Sequence, residues 1–296
     1  MGTFKSGFIT IIGRPNVGKS TLMNHLIGEK ISIISNKPQT TRNTIQTILT
    51  NDNYQIVFID TPGLHKPKHK LGEYMMKVAT NTLREVDLII YIINPDENIG
   101  PGDKYILEQL KDVKTPVFLV INKIDTVKKE IIAQTIENFK NVLQFDEVIP
   151  ISALKGDNVN TLLNLIVDKL PEGPQYFPGD MITDQPEKFI VGEIIREKIL
   201  HNLDEEVPHG TAVEVISMKK GEHSDIVNIN ATIYCEKESH KSIIIGKEGK
   251  MIKKIGQTAR YEIERLLGNR VYLDLWIKVK KDWRDSPSTL QSLGYK

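Results

Sequence analysis

The chain has 296 residues, enough for two domains of ordinary size. Its formal net charge of +1, with 40% hydrophobic and 26% charged residues, is ordinary for a soluble globular protein. The single cysteine, Cys235, excludes an internal disulfide and a cysteine-rich zinc site, and no signal-like or membrane-spanning apolar run is present, so we expect a cytoplasmic protein.

Short apolar runs alternate with helical segments up to about residue 170. This alternation predicts an α/β domain in which helices cover both faces of a mostly parallel sheet. A Pro/Gly-rich cluster from Pro171 to Asp180 then predicts a linker. The predicted strands are Phe8–Ile12, Ile45–Leu49, Ile56–Ile59, Leu88–Ile93, Val117–Ile121 and Val148–Ile151, and the last helix of this part is Asn158–Leu170.

Beyond the linker the predicted order is α-β-β-α-α-β, which indicates a second, small α+β domain. Its predicted elements include a helix over Glu187–Leu200 and strands over Thr211–Met218, Asp225–Tyr234 and Val271–Val279. The expected domain bounds are 1–172, a linker over 173–185, a second domain over 186–282 and a weakly ordered polar tail over 283–296.

Between the first strand and the first helix lies the run Gly13-Arg14-Pro15-Asn16-Val17-Gly18-Lys19-Ser20, followed by Thr21. The run matches the pattern G-x-x-x-x-G-K-[ST] at every required position. In such a loop the backbone N–H groups and the positive end of the helix point at bound phosphate. We expect Lys19 to reach the β- and γ-phosphates of a nucleotide and the Ser20 hydroxyl to coordinate Mg²⁺.

A second loop, after the predicted strand Ile56–Ile59, carries Asp60-Thr61-Pro62-Gly63. An acidic residue at the end of a strand can hold Mg²⁺, and the Gly63 N–H can donate to a γ-phosphate oxygen. The sequence therefore predicts a site for a nucleoside triphosphate with its metal ion.

Two further loops predict which base is bound. Asn122-Lys123-Ile124-Asp125 follows one predicted strand, and Ser152-Ala153-Leu154 follows the next. The Asp125 carboxylate can accept from guanine N1–H and the N2 amine together, donors that adenine lacks in this arrangement. We expect Asn122 and Lys123 to brace the loop and the Ala153 N–H to donate to guanine O6, so the predicted ligand is GTP or GDP.

The four motifs resemble those of the translation-factor-like GTPases in order and spacing. The resemblance implies an effector-segment threonine that ligates Mg²⁺ in the GTP state, which we place at Thr41 with Thr40 as the alternative. Leu64 stands where small signalling GTPases carry the glutamine that orients the attacking water. Asn16 is similar to the asparagine of K⁺-dependent relatives, which implies slow hydrolysis stimulated by K⁺; the alternative role for Asn16 is a loop-bracing amide. The catalytic candidates are Lys19, Thr41, Asp60, Gly63 and Asn16.

The second domain contains a GxxG loop between two predicted helices, formed by Gly246, Lys247, Glu248 and Gly249. In KH domains such a loop clamps the backbone of about four single-stranded nucleotides. We expect Lys250 and Lys253 on the following helix to add to RNA binding, because the segment from Lys237 to Lys296 carries a net charge of +7 while that from Asp180 to Glu236 carries −7.

One GTPase domain followed by one KH domain is similar to the Era family of bacterial GTPases. The resemblance implies a factor for small-subunit ribosome assembly that binds 16S rRNA near its 3′ end and the 30S subunit, with peripheral membrane association; we expect a monomer. Two alternatives stay open at this point. One is an RNA-modification GTPase of the same superfamily, and the other is an RNA-binding protein stabilised by GTP with negligible hydrolysis.

Overall fold

The computed structural model describes residues 3–28, 42, 45–60, 69–96, 98–221 and 225–295. The chain forms two compact units, the first extending to Asp184 and the second covering Gln185–Lys296 together with His69–Leu71. Among the helices of the described ranges, none is long and apolar enough to cross a membrane.

The first unit is built on the predicted alternation of strands and helices. Its sheet has the order β2-β3-β1-β4-β5-β6, in which β2 runs antiparallel to β3 and the other neighbours are parallel. The predicted α/β architecture is confirmed; β4 and β5 have the predicted bounds, and the ends of the other strands are shifted by at most three residues. The elements are β1 (Lys5–Ile12), α1 (Lys19–Ile27), β2 (Ile45–Asn51), β3 (Tyr54–Asp60), α2 (Lys70–Glu85), β4 (Leu88–Ile93), α3 (Pro101–Leu110), β5 (Val117–Ile121), α4 (Lys129–Lys140), β6 (Glu147–Pro150) and α5 (Val159–Lys169).

The central strand β4 shows why continuous apolar runs form this sheet. All six of its side chains are buried, because helices cover both faces. Alternate residues belong to two separate cores: Leu88, Ile90 and Ile92 pack on one face, and Ile89, Tyr91 and Ile93 on the other. β1 lies between β3 and β4, so the loop that follows it opens at the carboxyl edge of the sheet, where ligands bind in folds of this type.

The segment predicted as a linker packs along the first unit instead of running free of it. Ile48 N donates to Ile182 O at 2.9 Å, and Thr47 forms a β-bridge with Thr183. The buried side chain of Gln55 accepts from the backbone N–H of Phe177 at 2.9 Å and donates to Phe177 O at 2.9 Å. Because these bonds satisfy a buried amide and the outer edge of β2, residues up to 184 belong to the first unit.

The second unit has the predicted order α-β-β-α-α-β and a sheet of order β7-β8-β9. β7 is antiparallel to β8, and β9 is parallel to β8. Cys235 is fully buried, and burial raises the pKa of its thiol. The elements are α6 (Glu187–Asn202), β7 (Ala212–Lys220), β8 (Ile226–Cys235), α7 (Glu238–Ile245), α8 (Lys250–Leu267) and β9 (Arg270–Val279).

The prediction of a weakly ordered tail over 283–296 is wrong. This segment forms a short 3₁₀ turn and the helix α9 (Pro287–Ser292). The fully buried Trp283 donates from Nε1 to Gly210 O at 2.9 Å, and Arg284 makes two hydrogen bonds with Glu236, at 3.0 and 2.6 Å. The tail is ordered because it buries an indole ring, an interaction that local polarity does not reveal.

Candidate functional site

The phosphate loop, residues Gly13–Ser20, joins β1 to α1 with a backbone that only glycine permits at two positions. A Cβ atom on Gly13 would lie 2.3 Å from Ile92 O, and one on Gly18 would lie 2.2 Å from Asn122 Nδ2. Gly18 also has φ 102°, in the region that favours glycine, and caps the start of α1. The loop therefore lies directly against neighbouring backbone and side chain.

Lys19 places a half-buried positive charge at this loop. Its Nζ donates to Gly13 O and to Arg14 O, both at 3.0 Å. Burial lowers the pKa of Lys19 to about 8, and the negative charge of Asp60 acts in the opposite direction. An ammonium group held in this way attracts anions, and a bound phosphate would favour its protonated form.

Asp60 ends β3 beside the phosphate loop. Its Cα is in register with Ile11 on β1, its side chain is fully buried, and the neighbouring residue Ile59 accepts at its carbonyl from Thr10 Oγ1 at 3.1 Å. Ser20 lies in the first turn of α1. In the described ranges no three His, Cys, Asp or Glu side chains cluster, so a Mg²⁺ ion here would take oxygen ligands from a carboxylate, a hydroxyl and the nucleotide.

Asn122 ties three loops together, which confirms its predicted bracing role. Its Nδ2 donates to Val17 O at 2.7 Å, and its Oδ1 accepts from Ala153 N at 2.9 Å. Lys123 Nζ donates to Asn16 O at 2.5 Å, so the second bracing prediction is confirmed as well. The loops predicted to bind the phosphates and the base are thus held together by side chains from a single motif.

Asp125 is positioned to present an ionised carboxylate. Its Oδ1 accepts from Ser152 Oγ at 2.8 Å, and Lys155 Nζ lies 3.8 Å from its Oδ2. The Ser152 hydrogen bond holds the pKa of this carboxyl below its usual range, and the neighbouring lysines act in the same direction. The Ala153 N–H, predicted to donate to guanine O6, instead donates to Asn122 Oδ1, so an O6 contact would have to share this donor.

A buried cluster behind the phosphate loop was missed by sequence reasoning. Arg14 Nε lies 3.0 Å from Asp103 Oδ1, and Tyr91 donates from its hydroxyl to the same carboxyl at 2.9 Å. Burial raises the pKa of Asp103, whereas Arg14 lowers it. Gly102 leaves the room that the Arg14 side chain occupies, since a Cβ there would lie 2.9 Å from Arg14 Cδ. No local pattern predicts this cluster, because its members come from β4, α3 and the phosphate loop.

The other predicted site residues are described by the exposure of their side chains. Thr21 is half-buried in α1, whereas Pro15, Asn16 and Leu154 are exposed. The bracing alternative for the Asn16 side chain finds no hydrogen bond among the contacts between described residues; the brace uses its backbone oxygen. The remaining predictions, on Thr40, Thr41, Thr61, Pro62, Gly63 and Leu64, lie outside the described residues.

The GxxG loop of the second unit connects α7 to α8. Gly246 and Gly249 have φ 71° and 73°, and Glu248 has φ 53°. A Cβ on Gly246 would lie 2.6 Å from Met251 Cβ, so only glycine fits there. Lys250 Nζ lies 3.1 Å from Glu248 Oε2 in an exposed pair. Exposed basic side chains stand in the loop, at Lys247, and on the first turn of α8, at Lys250 and Lys253.

A groove of about 380 Å³ runs between α8 and β9, beside the GxxG loop. Of its lining, Lys253 was predicted as an RNA contact, whereas Gln257, Arg260 and Tyr272 were missed. The alternation of β9 could have indicated Tyr272, because this residue lies on the side of the strand opposite to the buried Val271. The lining residues are Ile252, Lys253, Gly256, Gln257, Arg260, Tyr272, Leu273 and Leu275.

Comparison with known proteins agrees with this arrangement. Residues 8–123 match the family model described as 50S ribosome-binding GTPase, and residues 206–284 match that of the KH domain. The GTPase Era of Alkaliphilus metalliredigens strain QYMF is 61% identical over 99% of both chains, and that of Clostridium kluyveri strain ATCC 8527 is 62% identical over 99% of both. The crystal structure of a single-residue variant of Aquifex aeolicus Era bound to GDP.AlF4⁻ superposes with a TM-score of 0.94 at 41% identity, covering 99% of each chain.

The fold and the two glycine loops therefore define a P-loop GTPase that carries a KH domain. More particularly, the chain belongs to the GTPase Era family. GTP hydrolysis is the activity of this family, which sets aside the alternative of a protein that merely binds GTP.

Proposed function

We propose that the chain is a GTP-driven switch that binds 16S rRNA near its 3′ end and acts in the assembly of the small ribosomal subunit. The observation that carries the proposal is the presence of both loops in one chain: a phosphate loop braced for a guanine nucleotide and a GxxG loop beside a groove. A structure of Era in complex with MgGDPNP and nucleotides 1506–1542 of 16S ribosomal RNA, with a TM-score of 0.94 and 42% identity, supports it.

The proposed nucleotide contacts follow from the described geometry. Lys19 and the loop backbone hold the phosphates, and Asp125 accepts from guanine. Ser20, Asp60 and, from the resemblance, Thr41 would hold Mg²⁺, and the fully buried Asp60 carboxylate fits such an ion. Bound Mg²⁺ supplies charge neutralisation at the β- and γ-phosphates.

Asn16 is the residue we assign to K⁺ stimulation. Its side chain is exposed on the phosphate loop, while its backbone oxygen is held by Lys123, so the side-chain amide can contribute an oxygen to a cation beside the phosphates. Single-turnover hydrolysis is expected to be faster in K⁺ than in Na⁺, and Asn16→Ala should abolish the difference. Equal rates in both salts for the unsubstituted protein would remove this role.

Coupling between the two ligands tests the switch itself. RNA and GTP should each tighten the binding of the other, since a ligand shifts an equilibrium only by its differential affinity for the two states. The measurement is the affinity for an RNA of nucleotides 1506–1542 of 16S rRNA in GDP and in a non-hydrolysable GTP analogue. Equal affinities would reject the coupling.

A charge-reversal pair tests the RNA surface in the same assay. Lys247→Glu, in the GxxG loop, should weaken RNA binding strongly. Lys237→Glu carries the same charge change at the opposite end of α7 and should weaken it little. We further propose a cytoplasmic monomer that associates with the 30S subunit and peripherally with the membrane.

A further inference from the structure

One face of the β7-β8-β9 sheet presents two exposed aromatic rings on its edge strand. Tyr272 and Trp276 on β9 are each 62% exposed. They are four residues apart and therefore point to the same face, about 13 Å from each other. Their neighbours on the opposite side of the strand, such as the buried Val271, pack toward the core. We call this exposed surface the outer face; it comprises Ser217, Lys219, Asn228, Asn230, Tyr272, Asp274, Trp276 and Lys278.

The Trp276 ring is held in place rather than left mobile. Its Nε1 donates to Oδ2 of Asp274, two residues earlier on the same strand, at 2.9 Å. This bond restrains the plane of the indole. A ring fixed before binding loses little conformational entropy when a planar ligand stacks on it.

The groups around the two rings are amides and lysines, together with two acidic residues: Asp274 between the rings and Glu214, which accepts from the Tyr234 hydroxyl at 2.8 Å. In the register of β8 with β9, Asn228 lies beside Tyr272, and Asn230 lies beside Asp274. Asn230 Nδ2 donates to Ser217 Oγ at 2.8 Å on β7. Lys219 and Lys278 are exposed at the two ends of the face. Two separate exposed rings with amides on the neighbouring strand and lysines at the two ends suit nucleic acid, whereas a protein-binding core would join its apolar groups in one patch.

The outer face is continuous with the groove beside the GxxG loop. Tyr272 belongs to both, because it lines the groove and also stands on the strand face that carries Trp276. A GxxG loop clamps only about four nucleotides. A longer strand that leaves the groove past Tyr272 therefore meets the outer face next.

We propose that the outer face is a second RNA-binding surface, on which unpaired bases of a strand leaving the GxxG groove stack on Tyr272 and Trp276. The inference rests on the proposed RNA-binding function and extends it to a surface outside the groove. Base–aromatic stacking tolerates every base, so the surface adds affinity without strict sequence choice.

The tryptophan content of the chain allows a direct test. The sequence has two tryptophans, and Trp283 is fully buried while Trp276 is exposed. Intrinsic fluorescence that changes on RNA binding therefore reports Trp276. Titration with an RNA of nucleotides 1506–1542 of 16S rRNA should quench the emission. The quenching should vanish in Trp276→Phe, while RNA affinity stays close to that of the unsubstituted protein.

Affinity measurements with a matched control complete the test. Trp276→Ala should weaken binding of the same RNA about tenfold. Tyr261→Ala removes an equally exposed ring, 64% exposed on α8, and should change affinity less than twofold. Thermal melting of each variant checks that the fold is intact.

Each remaining outcome decides against the proposal. Unchanged RNA affinity in Trp276→Ala, with Lys247→Glu still impaired, overturns the outer face but leaves the proposed function standing. No RNA binding by the unsubstituted protein overturns both. Self-association that Trp276→Ala abolishes, with RNA affinity unchanged, would instead identify the face as an interface between two copies of the chain.

Discussion

The phosphate loop and the GxxG loop both precede a helix and both require glycine, yet they are held in different ways. Side chains from distant loops brace the phosphate loop: Asn122 and Lys123 bind its backbone oxygens, and Asp103 holds Arg14. The GxxG loop is shaped by its own glycines and by its neighbour Met251. The difference teaches that nucleotide binding depends on long-range order, whereas RNA binding depends on local backbone shape and exposed charge.

Among the substitutions that test this difference between the two loops, Asn122→Ala should have the largest effect. It removes two buried hydrogen bonds and leaves Val17 O and Ala153 N unsatisfied, which should cost about 3 kcal/mol, or more than a hundredfold in GDP affinity. Titration with a fluorescent GDP analogue measures the loss. The exposed Asn141→Ala is the control. An affinity within threefold of the unsubstituted protein would show that the loop keeps its shape without the brace.

Arg14→Gln should come next, with a destabilisation of about 2 kcal/mol at neutral pH, because the buried Asp103 carboxylate loses its cation. Burial already raises the pKa of Asp103, and the substitution raises it further. A carboxyl with a raised folded-state pKa favours folding when protonated, and this stability is lost as pH rises through that pKa.

The deficit of Arg14→Gln should therefore grow as the pH rises above the ordinary pKa of an aspartate, because both folded-state pKa values lie above it and that of the variant lies higher. Urea unfolding at several pH values gives the profile, with the exposed Arg84→Gln as control. A deficit that does not change with pH would mean that Arg14 acts by packing alone.

Gly246→Ala tests the GxxG loop, the second of the two loops compared. Both Gly246 and Gly268 have positive φ, 71° and 64°, but a Cβ on Gly268 would meet nothing within 4 Å. Gly246→Ala should therefore destabilise the second unit by about 1.5 kcal/mol more than Gly268→Ala, and it alone should weaken RNA binding. Thermal melting and RNA titration provide the two measurements. Equal losses in the two variants would assign the effect to backbone strain rather than to the contact with Met251.

The smallest effect concerns the proton on Lys19. With a pKa of about 8, this side chain is half protonated at pH 8 in the free protein, and a bound phosphate favours the charged form. GDP binding at pH 8 should therefore take up about half a proton. Calorimetry in buffers of different ionisation enthalpy measures the uptake, which should be close to zero in Lys19→Gln. Equal uptake in both would place the titrating group elsewhere.

Sequence reasoning succeeded where a local pattern carries the information. The continuous apolar run Leu88–Ile93 predicts a strand buried on both faces, and the spacing of Gly13, Gly18 and Lys19 predicts the phosphate loop. It failed where distant residues decide the structure. The order of the tail depends on Trp283 reaching Gly210, and the cluster behind the phosphate loop depends on Asp103 reaching Arg14. Neither contact produces a periodic pattern in the sequence.

The pairing of β2 with the segment up to Asp184 also protects the first unit from aggregation. β2 lies at the edge of its sheet, and an uncovered edge strand can recruit a strand from another molecule. The Ile48–Ile182 hydrogen bond and the Thr47–Thr183 bridge occupy that edge. A GTPase fragment cut at residue 172 would leave the edge of β2 unpaired, whereas one ending after Asp184 would keep it paired.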